Sequence, residues 1–336
     1  MSSTPLRIGL VSFAHMHAEG YVHNLRSLDA AQLVGFVDDD AQRAERYGGQ
    51  FGLTRFRDLA ELLEQDLDGV IICTETSRHL EAVAAAAAAG VHVLCEKPIE
   101  VTLERAEAMR EACEAAGVIF MTAFPLRFDH TMLNLQQAFQ RGDFGRLLSV
   151  QGINHAENPA RHRAWFADRE LAGGGAVMDH TAHVADLLRW FLGADPAGVY
   201  AEVSNPFQPE RDIDSAAIAT LDFPDGFFAT IDASWSRPDT YPRWGHMKLE
   251  FITDRGAISV DPFAHNFPVW SSGAERTPSW HAWDGDSGQR MVEAFLDSIR
   301  HGTPAPVTWQ DGYESLRVAL ACYEASRTGR RIALDR

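Results

Sequence analysis

The first 123 residues of this 336-residue chain alternate short apolar runs with segments of helical periodicity, and this alternation limits the fold more than any other feature. The apolar runs have the length of buried strands and cover residues 6–11, 33–37, 69–73, 91–97 and 118–122, with a weaker strand near 54–56. The helical patterns between them cover residues 17–28, 41–47, 59–65, 78–89 and 103–115. Strands that alternate with helices at this pace predict a parallel, doubly wound sheet with right-handed crossovers. Such sheets bind ligands at the carboxyl ends of their strands, so functional residues are expected there.

After residue 123 the pattern changes to longer alternating segments joined by tight turns such as Pro224-Asp225-Gly226. The predicted strands cover residues 147–155, 199–203, 215–223, 227–235, 247–253 and 257–260, and the predicted helices cover 132–141, 178–191, 289–301 and 312–327. Consecutive strands joined by tight turns favour an antiparallel sheet. We therefore predict an α/β dinucleotide-binding domain over residues 1–123 and an α+β domain with a mainly antiparallel sheet over residues 124–336.

The charge balance limits the classes of partner. Thirty basic and forty-seven acidic residues give a net charge of −17, which repels nucleic acid and anionic membrane surfaces. The alanine run at 84–89 is too short to span a bilayer, and no leader is recognisable at residues 1–14. The four cysteines show no C-x-x-C spacing, as is usual in a reducing compartment. We expect a cytoplasmic protein with no nucleic-acid or membrane partner.

The turn after the first strand is the expected position of a dinucleotide cofactor. Ser12, Phe13 and Ala14 form this turn, with small residues at 12 and 14 but none of the usual glycines. Asp38 ends the second strand, where a carboxylate accepts hydrogen bonds from ribose hydroxyls and repels a 2′-phosphate. This position favours NAD over NADP, although Arg43 would moderate the repulsion. The alternative is that Asp38 belongs to a solvated acidic turn.

A second candidate is the strand end at Glu96-Lys97-Pro98. A buried parallel strand that stops here aims Lys97 at the ligand crevice. Pro98 restricts the residue before it and raises the chance of a cis Lys97–Pro98 bond. The alternative is an ordinary charged strand end that meets solvent.

A third candidate follows three consecutive glycines at 173–175, which allow the backbone to approach another group closely. The helix that follows places Asp179 and His183 one turn apart on one face. A histidine beside a carboxylate suits general acid–base chemistry near neutral pH. The alternative is an aspartate that stabilises its own helix beside a partly buried histidine.

Metal binding and substrate binding were also assigned from this part of the sequence. Asp179, His180, His183 and His155 offer nitrogen and oxygen ligands, but they form no compact metal motif, and no metal is expected. His15, His17 and His23 flank the cofactor turn, where ligand contact and a surface position are equally plausible. A strand end and a polar loop just ahead of the glycines carry the residues expected around the substrate, namely His155, Arg161, Arg163 and Trp165; a surface loop is the alternative.

These features together resemble the Gfo/Idh/MocA family of nicotinamide-dependent oxidoreductases over nearly the whole chain. The segments that carry the resemblance are Arg7-Ile8-Gly9-Leu10-Val11, Val37-Asp38, Ile72-Cys73-Thr74 with His79, the run from Gly90 to Pro98, Gly173-Gly174-Gly175 with Asp179 and His183, and the helix end at 319–329. In contrast to the family's usual pattern, Ser12 and Ala14 replace glycines, His17 replaces a small residue, and Glu75 stands where proline is typical.

The resemblance implies a Rossmann domain followed by a domain with a large open sheet that forms a homodimer or homotetramer. It also implies a hydride transfer between NAD and a secondary alcohol or ketone of a sugar, inositol or related polyol. By the same resemblance, Lys97 would contact the substrate hydroxyl and the nicotinamide, His183 would exchange the hydroxyl proton, and Asp179 would bind substrate. Thr74, His79 and Glu96 would border the cofactor.

Three other classes remain open at this stage. Some relatives are redox-neutral NAD-using glycosidases or epimerases, and the family includes a non-catalytic, nucleotide-responsive regulator. A metal-dependent hydrolase or lyase is the third alternative. NADH accumulation and the metal content of the purified protein distinguish these classes from a dehydrogenase.

Overall fold

A computed structural model of the chain describes residues 4–241, 245–264, 266–269, 279–282 and 285–334. The chain divides into two compact units, each assembled from separate segments. The first unit contains residues 1–125, 162–173 and 288–316, and the second contains residues 126–161, 174–287 and 317–336.

The strands of the described residues follow the predicted positions closely. They are β1 Leu6–Val11, β2 Ala31–Val37, β3 Gly69–Ile72, β4 His92–Cys95, β5 Phe120–Thr122, β6 Leu147–Glu157, β7 Gly198–Ser204, β8 Ala216–Asp222, β9 Phe228–Arg237, β10 Gly245–Thr253, β11 Gly256–Val260, β12 Asn266–Val269, β13 Ser279–Ala282 and β14 Ile332–Ala333. The weak strand near residue 55 is an isolated bridge between Phe36 and Arg55. The short strands β12, β13 and β14 were not predicted.

The helices also lie near their predicted positions. They are α1 His17–Ser27, α2 Ala41–Phe51, α3 Leu59–Leu63, α4 His79–Ala88, α5 Leu103–Ala116, α6 His130–Gln140, α7 Arg169–Ala172, α8 Ala182–Leu192, α9 Ser287–His301 and α10 Trp309–Thr328, with a π-helix at Val177–Thr181. Asp40 caps α2, because its carboxylate accepts hydrogen bonds from the backbone N–H groups of Gln42 and Arg43. Among the described residues, no helix combines the length and the apolar character that crossing a membrane requires.

In the first unit, the described strands form a five-stranded parallel sheet in the order β2-β1-β3-β4-β5. The register pairs Val11 with Val37, Val11 with Ile72, and Ile72 with Cys95, so these strands end at one level. The residues that follow them therefore share one edge of the sheet. This is the doubly wound arrangement that the alternating pattern predicts.

The first unit contains more of the chain than the predicted domain of residues 1–123. Two later segments belong to it, because their contacts are with the parallel sheet and its turns. A Cβ on Gly69 of β3 would meet Phe295 and Ile299 of α9 at 3.1 Å, so this helix packs closely on the sheet. The Trp165 indole N–H donates to the carbonyl of Ala14 at 2.9 Å, which joins residues 162–173 to the turn after β1.

In the second unit, the described strands form a seven-stranded sheet in the order β11-β10-β6-β9-β8-β7-β14. The pair β6 and β9 is parallel, and the other pairs are antiparallel, which agrees with the predicted mainly antiparallel sheet. Helix α8 covers one face, since a Cβ on Gly152 of β6 would lie 2.6 Å from Val184. We call this the inner face and the opposite one the outer face. Side chains of β8 alternate between buried and exposed, as expected for a sheet covered on one side.

Candidate active site

The turn after β1 is built around a serine in a left-handed conformation. Ser12 has φ 72°, a region that favours glycine, and its hydroxyl accepts a hydrogen bond from the N–H of Ala14 at 3.0 Å. The backbone N–H of Ser12 donates to Val37 at 2.7 Å, and that of His15 donates to Cys73 at 2.8 Å. Hydrogen bonds to the neighbouring strands therefore hold the turn in place of the usual glycines.

The side chain of Phe13 lies beneath this turn rather than in the ligand crevice. It is fully buried and stacks on Tyr47 with ring centroids 4.6 Å apart, while Phe36 approaches it edge-on at 5.2 Å. The role of Phe13 at a cofactor is thus limited to its backbone. Its aromatic ring anchors the turn to α2.

Arg163 and Trp165 belong to the first unit, and their side chains donate hydrogen bonds to the carbonyl groups of Phe13 and Ala14 in the same turn. The Arg163 guanidinium donates to the Tyr47 hydroxyl at 2.6 Å and to the Glu19 carboxylate at 2.9 Å. Trp165 is buried and stacks on Phe166 with centroids 4.0 Å apart. These contacts explain both side chains as supports of the cofactor turn. They were predicted as substrate contacts because they precede the glycine cluster in sequence.

Asp38 follows β2 and is buried, with its carboxylate at the centre of a polar network. It accepts hydrogen bonds from the N–H of Phe13 at 2.7 Å and the Ser12 hydroxyl at 3.2 Å, and it pairs with Arg43 at 2.8 Å. Arg43 also pairs with Glu75 at 3.5 Å. The Arg43 guanidinium therefore compensates the negative charge of two buried carboxylates, those of Asp38 and Glu75. Glu75 is the residue that stands where proline is typical.

The first unit fits a bound dinucleotide. Helix α1 follows the turn directly, and its N-terminal dipole favours a phosphate group there, while the ring nitrogen Nδ1 of His15 accepts the backbone N–H of His17 at 3.2 Å. The carboxylate of Asp38 lies at the end of the neighbouring strand, where such groups accept hydrogen bonds from a ribose. Arg43 lies against that carboxylate and weakens its repulsion of a 2′-phosphate.

The end of β4 carries Glu96 and Lys97, which are both buried, and the Lys97–Pro98 bond is cis as predicted. Glu96 accepts hydrogen bonds from the Tyr21 hydroxyl at 2.6 Å and from His17 Nδ1 at 2.9 Å. Burial opposes ionisation of Glu96, but the neighbouring His15 and His17 and these hydrogen bonds hold its pKa well below the usual value. Glu96 is therefore an anion inside the unit.

His79 lies beneath the same strand end and contacts backbone rather than open space. Its Nδ1 lies 3.0 Å from the carbonyl of Ile99, and its Nε2 lies 3.3 Å from the carbonyl of Thr74. Burial lowers the pKa of His79, partly opposed by Glu100. His79 is one of the residues expected to border the cofactor. In the structure its ring links the loop at Thr74 to the segment after Pro98.

In the second unit, the glycine cluster meets Asp214 and Tyr323. A Cβ on Gly174 would lie 2.0 Å from the Tyr323 hydroxyl, and one on Gly175 would lie 1.9 Å from the backbone oxygen of Asp214. The Asp214 carboxylate accepts hydrogen bonds from the N–H groups of Gly175 at 2.7 Å and Val177 at 2.8 Å. Tyr323 donates to the same carboxylate at 2.6 Å. The glycines thus permit the close approach that the sequence predicted.

Asp179 and His183 are the two positions between Gly174 and Leu188 whose side chains are not fully buried. Asp179 lies in the π-helix, a distortion that is frequent at functional sites, and His183 lies in α8. Trp235 of β9 donates its indole N–H to Asp179 at 3.3 Å, and His180 Nε2 lies 3.2 Å from the same carboxylate. Both members of the predicted pair are therefore partly exposed in an otherwise buried stretch.

His155 and Arg161 lie elsewhere in the second unit. His155 projects from the outer face of the sheet, where its Nε2 lies 2.8 Å from Asp232 and its Nδ1 lies 3.2 Å from Arg237. Arg161 forms an exposed ion pair with Asp239 at 3.0 Å. The four predicted substrate residues are thus not brought together within either unit, and substrate binding by each of them stays a prediction.

Several residues of these arrangements were missed by sequence reasoning. Asp214 lies in a loop 39 residues from Gly175, and Tyr323 lies 148 residues from it, so no local pattern connects them. His17 and Glu96 are likewise separated by 79 positions. The His15-Met16-His17 spacing was visible, but its carboxylate partner was not.

A parallel sheet with a helix N-terminus and a carboxylate at adjacent strand ends is typical of a dinucleotide-binding domain. The comparison with protein families agrees: the NAD-binding Rossmann fold of an oxidoreductase family matches residues 6–124, and the GFO/IDH/MocA C-terminal domain matches residues 132–259. These two matches cover more than half of the chain, and the protein belongs to the Gfo/Idh/MocA family. It is an oxidoreductase with an NAD-binding domain, as predicted.

Curated relatives and solved structures resemble the chain over almost its full length. It is 27% identical to myo-inositol 2-dehydrogenase of Thermotoga maritima, over 98% of this chain and 97% of that protein. It is 30% identical to D-xylose 1-dehydrogenase (NADP(+)) 2 of Haloferax volcanii, over 90% of this chain and 92% of that protein. The structure of GenD2 from gentamicin A biosynthesis, in complex with NAD, has a TM-score of 0.90 at 22% identity and covers 100% of this chain and 98% of that one. This last likeness concerns the fold.

Proposed function

We propose that this protein transfers a hydride between NAD and a secondary alcohol or ketone of a sugar, inositol or related polyol. The observation that carries the proposal is the partial exposure of Asp179 and His183, four residues apart, in an otherwise buried helical stretch. Dehydrogenases of inositol and xylose among the relatives support the substrate class. Bound NAD supplies the hydride acceptor.

In the proposed reaction, His183 accepts the proton of the substrate hydroxyl as the hydride leaves the same carbon. The products are the ketone, the reduced cofactor and a proton on His183. Lys97, as an ammonium, would stabilise the negative charge that develops on the substrate oxygen, and Asp179 would bind a substrate hydroxyl. A positioned proton acceptor typically contributes about 10²–10⁴-fold to the rate.

NAD is favoured over NADP by the position of Asp38. Its carboxylate would accept hydrogen bonds from both ribose hydroxyls, while Ser12 and Ala14 hold the turn next to the pyrophosphate. Thr74 and Glu96 would border the nicotinamide side. The hydrogen bonds that Asp38 already makes to the turn support this arrangement, because they orient the carboxylate before the cofactor binds.

Self-association would use the outer face of the second-unit sheet. Three large apolar side chains are exposed there on the adjacent strands β7, β8 and β9, and a fourth is exposed on β10, namely Tyr200, Ile218, Phe228 and Ile252. An exposed apolar face of this kind is typical of an interface between subunits. We propose a homodimer or homotetramer and a cytoplasmic location, the latter supported by four buried cysteines without disulfide bonds.

The proposal is tested by incubating the protein with NAD and a panel of inositols, aldoses and other polyols. Accumulation of NADH, followed by its near-ultraviolet absorption, together with a ketone product supports the dehydrogenase assignment. A product formed without net NADH would instead indicate a redox-neutral enzyme. Failure of every substrate, with NAD bound, would favour a nucleotide-responsive regulator.

A further inference from the structure

His15, His17 and Glu96 form a cluster where the turn after β1 meets the end of β4. The two histidines have no role in the proposed hydride transfer. Each of the three residues offers a ligand atom, and these atoms lie within 4.8 Å of one another. We propose that this cluster binds a divalent transition metal ion of the zinc type. The site lies wholly in the first unit and does not depend on the proposed substrate.

The spacing of the ligand atoms is close to what such an ion requires. His17 Nδ1 lies 2.9 Å and His15 Nδ1 lies 3.9 Å from Glu96 Oε1. Metal–ligand bonds of about 2.0–2.2 Å at tetrahedral angles place ligand atoms about 3.3 Å apart. Side-chain shifts of about 0.5 Å therefore open the shorter separation and close the longer one.

The ligand types also suit this class of ion. Two imidazole nitrogens and one carboxylate bind zinc and its neighbours, whereas magnesium and calcium prefer oxygen ligands alone. His15 Nδ1 accepts a hydrogen bond from the backbone N–H of His17 at 3.2 Å, so this nitrogen carries a lone pair rather than a proton. Metal binding at Nδ1 would replace this hydrogen bond.

Neighbouring groups hold the ligands in position. The Tyr21 hydroxyl donates to Glu96 Oε1 at 2.6 Å, and the backbone N–H of Lys97 donates to Oε2 at 3.2 Å. The N–H of His15 donates to Cys73 at 2.8 Å, which fixes the backbone of the turn. Contacts of this kind orient metal ligands before the ion binds.

The site is also accessible. The side chains of His15 and Glu96 are 3% and 0% exposed, but that of His17 is 36% exposed. An ion can therefore enter beside His17, and water or a ligand would complete its coordination. By joining the turn to the end of β4, the ion would stabilise the edge of the sheet that precedes Lys97.

The test is a titration of the metal-free full-length protein with Co²⁺, without NAD, followed by displacement with Zn²⁺. We expect one equivalent of Co²⁺ to produce a visible absorption band that Zn²⁺ removes, and Zn²⁺ to raise the melting temperature. His17→Ala, which changes a partly exposed side chain, and His15→Asn should each weaken Co²⁺ binding at least about tenfold, because even loss of a group that only orients a ligand typically costs about 10–100-fold. His23→Ala, an exposed histidine of the same helix, should bind like the wild type.

Glu96→Gln is the third ligand variant and is compared with the others only if its metal-free circular dichroism and melting are those of a folded protein. Absence of the Co²⁺ band in the folded wild type would overturn the proposal. An equal band in His17→Ala would overturn it as well, because the ion would then lie elsewhere. Neither result would affect the dehydrogenase assignment, which the NADH measurement tests separately.

Discussion

The backbone oxygen of Asp214 lies where a side chain on Gly175 would have to stand, 1.9 Å from the position of a Cβ atom. The carboxylate of the same aspartate accepts the N–H of Gly175 at 2.7 Å. This double contact places the start of the π-helix that carries Asp179. The glycine is therefore a positional requirement of the candidate site.

Gly175→Ala should displace this backbone and lower both stability and turnover. Overpacking against a fixed backbone costs about 1–3 kcal/mol, and misplacement of Asp179 and His183 adds a loss in kcat. Thermal unfolding and steady-state kinetics measure the two effects. The matched control is Gly20→Ala in α1, where a Cβ would meet nothing within 4 Å. Equal behaviour of the two variants would contradict this explanation.

Arg43→Ala should strengthen the preference for NAD over NADP. In the wild type the guanidinium contacts the Asp38 carboxylate at 2.8 Å, so its removal leaves the negative charge uncompensated against a 2′-phosphate. We expect the ratio of NAD to NADP affinity to rise about tenfold, which corresponds to about 1.4 kcal/mol. Fluorescence titration with both reduced cofactors measures the ratio.

Arg46→Ala is the control for this prediction, because Arg46 is an exposed residue of the same helix α2. Its ratio should stay at the wild-type value. A ratio that is unchanged in Arg43→Ala would show that Asp38 does not face the ribose of the bound cofactor.

The first unit should lose stability as the pH falls below about 6.5, the usual value for a histidine in an unfolded chain. Burial lowers the pKa of His79, so the folded protein keeps it neutral while the unfolded chain binds a proton. The unfolded state then takes up more protons, and the free energy of unfolding decreases with decreasing pH. His92, whose pKa burial also lowers, acts in the same direction.

A second loss should follow below about pH 4.5, where Glu96 becomes protonated in the unfolded chain. Its lowered pKa means that the stability is present above this pH and is lost as the pH falls. Urea unfolding between pH 7.5 and 3 measures the first step in full and the onset of the second. His79→Asn should flatten the first step, and His23→Asn should leave it as in the wild type. A wild-type stability that is constant between pH 7 and 5 would contradict the assignment.

Local patterns predicted the elements well, because strand length and helical periodicity are local properties. The strand at Leu6–Val11 has the predicted bounds, and the runs that end at Val37 and Thr122 end there in the structure. The alternation of strands with helices was sufficient for the parallel sheet and its ligand edge. The pairing of Asp179 with His183, inferred from their spacing of four residues, stays a prediction.

Contacts between distant segments were not accessible to the same reasoning. Arg163 was expected near the substrate because of its neighbours in sequence, yet its partners Glu19 and Tyr47 lie 144 and 116 positions away. His155 was expected near the substrate because it lies close to the end of a strand. In β6 the even-numbered residues from Val150 to Ala156 are buried, so His155 projects from the outer face instead. The alternation within a strand could have indicated this, had the buried face been known.

The central claim is that Lys97 acts in the chemical step, and kinetics of Lys97→Ala with the best polyol substrate tests it most directly. The proposal predicts that kcat falls by about 10²–10⁴-fold while NAD affinity stays within about threefold of the wild type. Lys248→Ala, which removes an ion pair with Glu250 on the outer face, should keep full activity. A Lys97→Ala protein that turns over the polyol at the wild-type rate would contradict the account.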